Sequence, residues 1–442
     1  ALREGIGNDV RHRDSQVTRV TEVTPMASSG ATTIRPLVAG HDELPAVGVA
    51  RPGYNMALGY LRGFLVVLVL AHHSVLAYID LQVPQAKSLL TQPQYWRAFM
   101  VIDHQHWAGF GLFTGFNDDF FMSLMFFVSG LFVWSSLKRK GNSSFVRERL
   151  RRLGIPFLFA AIVIAPIAYY PSYLLTIGPH SVGGYIHDWL SMGDWPTGPA
   201  WFIWLLLAFD LGVAAWFAIA PNFGEMLGRL ASNAREHPVR FWSLLATASA
   251  VVFIPMLAIF GAMSWTSIGP FQFQTARLFH YAVYFLAGIG VGAYGIERGL
   301  LAPDGLLARH WLRWTIASVV VFGLSVVFML IVISKGATMS QVLLNIVGGL
   351  SYAVTCGAIS FAFLGLFVRF ATRRRWIYDS LSDNEYGMYL IHYMFVSWLQ
   401  LAILNSSMPA IEKGFLVFAG VLLLSWGTSA ALRSIPGVSR IV

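Results

Sequence analysis

A histidine and an arginine eleven residues apart, inside an otherwise apolar run, carry the first sign of chemistry in this chain. The run reads LGYLRGFLVVLVLAHHSVLAYID from Leu58 to Asp80. Eleven residues make about three helical turns plus ~20°, so Arg62 and His73 share one helix face, roughly 16 Å apart along the axis. His72 points about 100° away, and Asp80, seven residues beyond His73, returns to the shared face. An imidazole titrates near neutrality and suits removal of a proton from a hydroxyl. The structural alternatives are snorkelling of Arg62 to headgroups and an interhelical hydrogen bond for His73.

Further polar groups sit at comparable places. The stretch NDDFFMSLMFFVSGLFVW puts Asp118 and Asp119 at the expected outer end of a second helix, where N-capping is the competing role, and Ser129–Gly130 deeper, where a small pair lets helices approach closely. In LKRKGNSSFVRERLRRLGIPF, Arg149 and Arg152 are three apart and can face one partner; guanidinium forks suit phosphate. PAWFIWLLLAFD places Trp201 near one surface and Asp210 in mid-membrane, TARLFHYAVYFLAG brings Arg277 and His280 to the outer side, and NEYGMYLIHYMF carries Tyr389 and His392 toward the middle. An ionisable group inside a span is expensive and marks function by default, with interhelical hydrogen bonding as the alternative for each.

These residues are carried by an all-α, polytopic membrane chain. Of 442 residues 56% are hydrophobic and only 12% charged, with mean hydropathy +0.60; a soluble domain carries about 25% charged residues. Ten apolar runs approach the roughly 20 residues a span needs: 58–79, 118–137, 154–174, 200–220, 240–263, 276–296, 312–334, 341–368, 384–404 and 413–433. With both termini inside, Lys and Arg crowd the inner loops, seven in 138–152, three in 221–240, three in 297–313 and four in 369–375, against Lys87, Arg97, Lys335 and Lys413 outside. That is the positive-inside pattern, and it accounts for the net charge of +9 without a nucleic-acid partner. The single Cys356 excludes an internal disulfide framework and a CxxC metal site; no metal is expected. Residues 1–57, with six Arg, six acidic residues and no apolar h-region, read as a loose cytoplasmic tail rather than a signal peptide; 58–433 form the membrane domain and 434–442 a short inner tail. The outer loops 80–117 and 175–199 are rich in aromatic residues (Trp96, His104, His106, Trp107, Tyr185, His187, Trp189, Trp195), which fit an interfacial belt better than a sugar platform.

The set Arg62-x10-His73, FFVSGLF (126–132), RLRR followed by IP (149–156), PAWF (199–202), FLAGIGVG (285–292) and YGMYLIH (386–392) resembles the membrane acyltransferase-3 family, in order and spacing, across about 58–433. RRLGIP is similar to the branch holding the periplasmic glucan succinyltransferase. The resemblance implies transfer of an acyl group (acetyl, succinyl or similar) from cytoplasmic acyl-CoA to a hydroxyl of an extracytoplasmic or lipid-linked carbohydrate, in a bacterial-type inner (plasma) membrane. By it, His73 holds the catalytic histidine position with Arg62 as motif partner, and Arg149 and Arg152 meet the CoA phosphates beside Ser129. Trp201, His280, Tyr389 and His392 are the expected acceptor-side residues. Some members carry a C-terminal SGNH-type hydrolase domain, whereas this chain stops at Val442, so the membrane part is expected to finish the transfer or hand over to another protein. His73 is either a general base or an acyl carrier, the base being favoured, with Asp80, Asp118 or Asp119 to orient its ring. The rival is a proton-coupled transporter using His73, Asp210 and His392, against which stand the absence of a convincing internal repeat and the Arg-x-x-Arg cluster; a non-catalytic scaffold is the third reading.

Overall fold

A computed structural model describes residues 55–81, 86–92, 98–335 and 338–438. The tail expected over 1–57 (all but its last three residues), Trp96, and the end of the short tail expected over 434–442 lie outside them. Among the described residues, the chain is built from long helices: α1 (Met56–Tyr78), α2 (Ala108–Lys140), α3 (Asn142–Leu174), α4 (Gly198–Ile219), α5 (Pro238–Phe260), α6 (Thr275–Tyr294), α7 (Trp311–Lys335), α8 (Gln341–Phe370), α9 (Trp376–Ile403) and α10 (Ala410–Arg433). The only strands described, β1 (Trp265–Ile268) and β2 (Phe271–Gln274), form an antiparallel hairpin between α5 and α6.

Nine of these helices are long and apolar enough to cross a membrane. α9 falls short on composition because Asp379, Asp383, Asn384, Glu385, His392 and Gln400 interrupt its apolar residues. Its direction nevertheless fits a crossing. Contacts advance together along α1 and α9, from Tyr60–Asp379 through Arg62–Glu385 to His73–His392, so the first and ninth helices are parallel. α2 and α6 are parallel by the same test, Asp118–Arg277 to Leu131–Gly292, whereas α9 and α10 run antiparallel, Asn384–Ser429 to Leu399–Gly420. Strict alternation of ten crossings produces these senses.

Three helices begin earlier than their apolar runs: α2 at Ala108 rather than 118, α3 at Asn142 rather than 154, and α9 at Trp376 rather than 384. Their added turns carry Gly, Thr and Asn (α2) or charged and polar residues (α3 and α9), and hydropathy reports only segments that are strongly apolar. One consequence corrects the reading of Asp118 and Asp119. The N-cap of α2 is Trp107, so both aspartates lie about ten residues into the helix and cap nothing.

The outward surface is apolar where it would meet lipid. Val319, Leu324, Met329 and Ile333 of α7 are more than half exposed, as are Val251 and Ile259 of α5, which in water would be an unusually large hydrophobic surface. The centre instead holds Ser123, His280, Asn117 and His392, all essentially inaccessible. Helices α2 and α6 close tightly through the FLAGIGVG stretch. A Cβ on Gly288 would stand 2.0 Å from the Phe127 carbonyl oxygen, and one on Gly292 equally close to that of Leu131. Small residues at four-residue spacing allow such backbone contact, which membrane helices use where no hydrophobic force drives association.

Candidate active site

α9 carries two of the candidate residues, Tyr389 and His392, and faces Arg62 and His73 of α1. Glu385 and His392 are seven apart, two turns minus ~20°, so they present one face to α1. There Glu385, buried, pairs with the half-exposed Arg62, and His392 meets His73. Arg62 and His73 are eleven residues apart and their partners only seven, a mismatch of roughly 6 Å in helix rise that the long arginine side chain spans. The face shared by Arg62 and His73 is therefore an interhelical seam. Glu385 was not among the residues singled out from sequence, although its heptad spacing from His392 was legible.

The tautomers at the seam follow from its acceptors. His73 Nδ1 lies 2.9 Å from the Val69 carbonyl and His392 Nδ1 lies 2.7 Å from that of Tyr389. A carbonyl oxygen only accepts, so both Nδ1 atoms carry hydrogen. His392 Nε2 then bears a lone pair, 3.3 Å from His73 Nδ1, and the His73 N–H is shared between two acceptors. His73 Nε2 is left with a lone pair and no hydrogen-bond partner among the described residues, the state a general base requires. Gln400 Nε2 donates to the carbonyls of His73 and Ser74, both at 3.1 Å, steadying the helix end on which the ring sits.

Tyr393 stands edge-on to His73 with centroids 5.3 Å apart, and packs in turn on Tyr169. Gly198, at φ +53°, lets the turn before α4 press onto this ring; a Cβ there would lie 2.5 Å from Tyr393 Cε1. The PAWF turn is fixed by Tyr389, whose hydroxyl donates to the Pro199 carbonyl. Beyond it, Tyr169, Tyr170, Tyr173, Tyr185 and Trp189 form a continuous ring cluster. The outer-loop aromatics Tyr185 and Trp189 are thus buried packing elements.

The carboxylates expected to orient His73 are elsewhere. Asp80 is exposed and lies 3.4 Å from His106. Asp118 pairs with Arg277 at 2.6 Å, and Asp119, half-buried beside it, has no hydrogen-bond partner among the described residues. A backbone carbonyl and a second histidine do the orienting instead. His392, expected to touch substrate, lies against His73, its Nε2 3.3 Å from His73 Nδ1. His280 is fully buried and bonded to Ser123 (2.9 Å) and Ser249 (2.5 Å), with Cys356 Sγ at 3.6 Å; it ties α2, α5, α6 and α8 together and does not join His73. Trp201 packs on Trp265 and Tyr281 rather than on His73. Ser129 is half-buried and makes no side-chain hydrogen bond among the described residues.

Arg149 and Arg152 differ in their surroundings. Arg149 Nε is 3.2 Å from the buried Asp210 of α4, with its guanidinium over Phe145. Arg152 is 57% exposed and lies 3.6 Å from Glu148. Their backbone is shaped by Pro156, which offers no N–H to the Arg152 carbonyl four residues back; the preceding turn, Leu150–Gly154, widens to a π-helix and the Tyr386 hydroxyl donates to that carbonyl at 2.7 Å. Pro171 repeats the device: the carbonyl of Ile167 accepts from Trp398 Nε1 at 2.9 Å. α9 thus touches Arg62, His73, the PAWF turn and the Arg-x-x-Arg backbone, with Tyr386 about 9 Å of helix rise from His392. Neither of the two cavities seen along α5 is lined by these residues.

Among the described residues no group of three or more His, Cys, Asp or Glu side chains could hold a metal ion. No curated protein and no solved structure matches the chain. The model of a family described as an acyltransferase domain matches residues 55–430, from the start of α1 almost to the end of α10. The resemblance drawn from the motifs and the helices that assemble them meet over the same residues: the chain belongs to the membrane acyltransferase-3 family.

Proposed function

We propose that the chain transfers an acyl group from acyl-CoA, arriving at the basic cytoplasmic face, to a hydroxyl of an extracytoplasmic or lipid-linked carbohydrate, with both termini inside a bacterial-type plasma membrane. The observation that carries the reading is the tautomer of His73, whose free Nε2 lone pair is what proton abstraction demands. Nε2 takes the proton of the acceptor hydroxyl as its oxygen attacks the thioester carbonyl. The tetrahedral intermediate collapses with cleavage of the C–S bond, and the imidazolium returns the proton to the CoA thiolate, giving ester and thiol. The Val69 carbonyl and His392 Nε2 stabilise the positive charge while it rests on His73, as an orienting acceptor does in a hydrolytic triad.

The donor's polyphosphate is attracted by the basic loops. The open side chain of Arg152 is the group available to meet it directly, while Arg149, braced by Asp210, sets the shape of the segment. The test is thiol release from a panel of acyl-CoAs by purified protein, with and without cell-envelope glycans. Acceptor-dependent release that disappears in His73→Ala, with the variant still monodisperse, is the expected result. Undiminished transfer by His73→Ala would sink the mechanism, and the absence of thiol release from every acyl-CoA would sink the donor assignment.

A further inference from the structure

Away from the His73 seam, two cavities follow one another along α5. The first, about 500 Å³, opens where α5 and α7 begin side by side. Its basic lining is His237, Arg240, His310 and Arg313, with Glu236 the acid at its rim, and Val239 and Trp314 among its apolar walls. Arg240 and Arg313 are exposed and form no ion pair with any described residue, unlike neighbouring Arg235, which pairs with Asp304. Both helices, 23 and 25 residues long, begin at this mouth, so the positive ends of their dipoles add to its preference for negative charge.

The second cavity, about 580 Å³, is a trough between α5 and α8 lined by Trp242, Ala246, Ala250, Ile254, Leu350 and Ala353 among others, and is overwhelmingly apolar. Alanines leave the space. The two cavities adjoin where Trp314 of the first meets Trp242 of the second, ring centroids 6.1 Å apart. From Arg240 to Ile254 the helix rises about 21 Å, somewhat more than the roughly 15 Å of hydrocarbon in one leaflet. A cationic mouth at the basic end of the bundle, continued by an apolar trough of leaflet depth, has the outline of a phospholipid. A soluble phosphate would use the mouth and leave the trough empty.

We propose that this site holds one anionic glycerophospholipid, its phosphate between Arg240 and Arg313 and one acyl chain in the α5–α8 trough. The test uses native mass spectrometry of the full chain equilibrated with phosphatidylglycerol, phosphatidylcholine or glycerol phosphate. One phosphatidylglycerol per chain should be retained in preference to phosphatidylcholine, and glycerol phosphate should not compete. The pair Arg240→Gln and Arg313→Gln should weaken that retention by about 30-fold, the effect of two basic residues on an anionic lipid, and Ala250→Trp should weaken it by filling the trough. Equal retention of both lipids, unchanged retention in the arginine variants, or displacement by glycerol phosphate would overturn the proposal. A measurement needing no variant stands beside it: in nanodiscs of the unaltered protein, brominated phosphatidylglycerol should quench tryptophan emission more than brominated phosphatidylcholine at equal mole fraction, and equal quenching counts against the site.

Discussion

His73 Nδ1 and His392 Nε2 face each other at 3.3 Å across the seam between two parallel helices, and each ring commits its own Nδ1 hydrogen to a carbonyl one turn earlier in its helix. The pair is directional: His392 accepts, His73 donates, and the remaining lone pair of His73 points away from both. Local backbone geometry therefore sets the tautomer of a neutral imidazole in this seam without a carboxylate.

The two histidines should consequently fail differently when removed. His73→Ala is expected to lower acyl transfer by about 10²–10⁴-fold, the usual worth of a general base. His392→Phe keeps the ring volume but loses the acceptor, and should cost less than His73→Ala while lowering kcat more than it raises the donor KM. Steady-state kinetics on purified variants checks both. Equal losses in the two variants would mean that His392 reacts with substrate itself.

The Arg62–Glu385 rung beneath them is predicted to be a stability element of the same seam. Glu385 is buried while Arg62 is half open to solvent, so Arg62→Ala should cost between the ~0–1 kcal/mol of a surface pair and the ~3–5 kcal/mol of orphaning a buried charge. Arg62→Ala combined with Glu385→Ala should be less damaging than the sum of the single changes, because no charge is left behind. Melting curves of the detergent-solubilised protein report this; strictly additive losses would show that the two side chains do not depend on each other.

Much of the architecture was legible because bilayer physics is one-dimensional. Run length and loop charge locate helices and alternate them, and the Arg62-x10-His73 spacing places two side chains on one face from helical geometry alone. What pairs with that face was not legible, since periodicity in α1 says nothing about which of nine other helices approaches it. Hydropathy also hid the starts of α2, α3 and α9, where Gly, Thr and Asn (α2) or charged residues (α3 and α9) dilute the apolar run, so Asp118 and Asp119 looked terminal when they are internal. Histidine identity alone could not separate His392, which meets His73, from His280, which two serines enclose.

The α2–α6 contact gives a prediction with an internal control. Gly288→Ala forces a methyl group onto the Phe127 carbonyl, and overpacking of that kind costs about 1–3 kcal/mol. Gly212 of α4 has nothing within 4 Å of where a Cβ would stand, so Gly212→Ala should be neutral or stabilising by up to ~1 kcal/mol through helix propensity. Comparing melting temperatures of the two variants tests the backbone contact, and a Gly288→Ala protein as stable as the parent would refute it.

Tyr386 and Pro156 should be energetically coupled through a single oxygen atom. Pro156 lacks the N–H that would otherwise serve the Arg152 carbonyl, and the Tyr386 hydroxyl donates to it from α9. The bond lies at an exposed position, so Tyr386→Phe should destabilise by no more than about 1 kcal/mol, the net worth of a hydrogen bond. Pro156→Ala restores a main-chain donor and allows the π-turn at Leu150–Gly154 to relax toward an ordinary helix. In that background Tyr386→Phe should cost little. Because Arg152 lies in that turn and Arg149 immediately precedes it, Pro156→Ala should also raise the donor KM by moving both guanidinium groups, while Tyr386→Phe alone leaves the turn in place and changes it less. A double-mutant cycle on stability, run beside donor KM measurements, separates the two effects. Equal costs of Tyr386→Phe in both backgrounds would show that the proline is not what makes the tyrosine necessary.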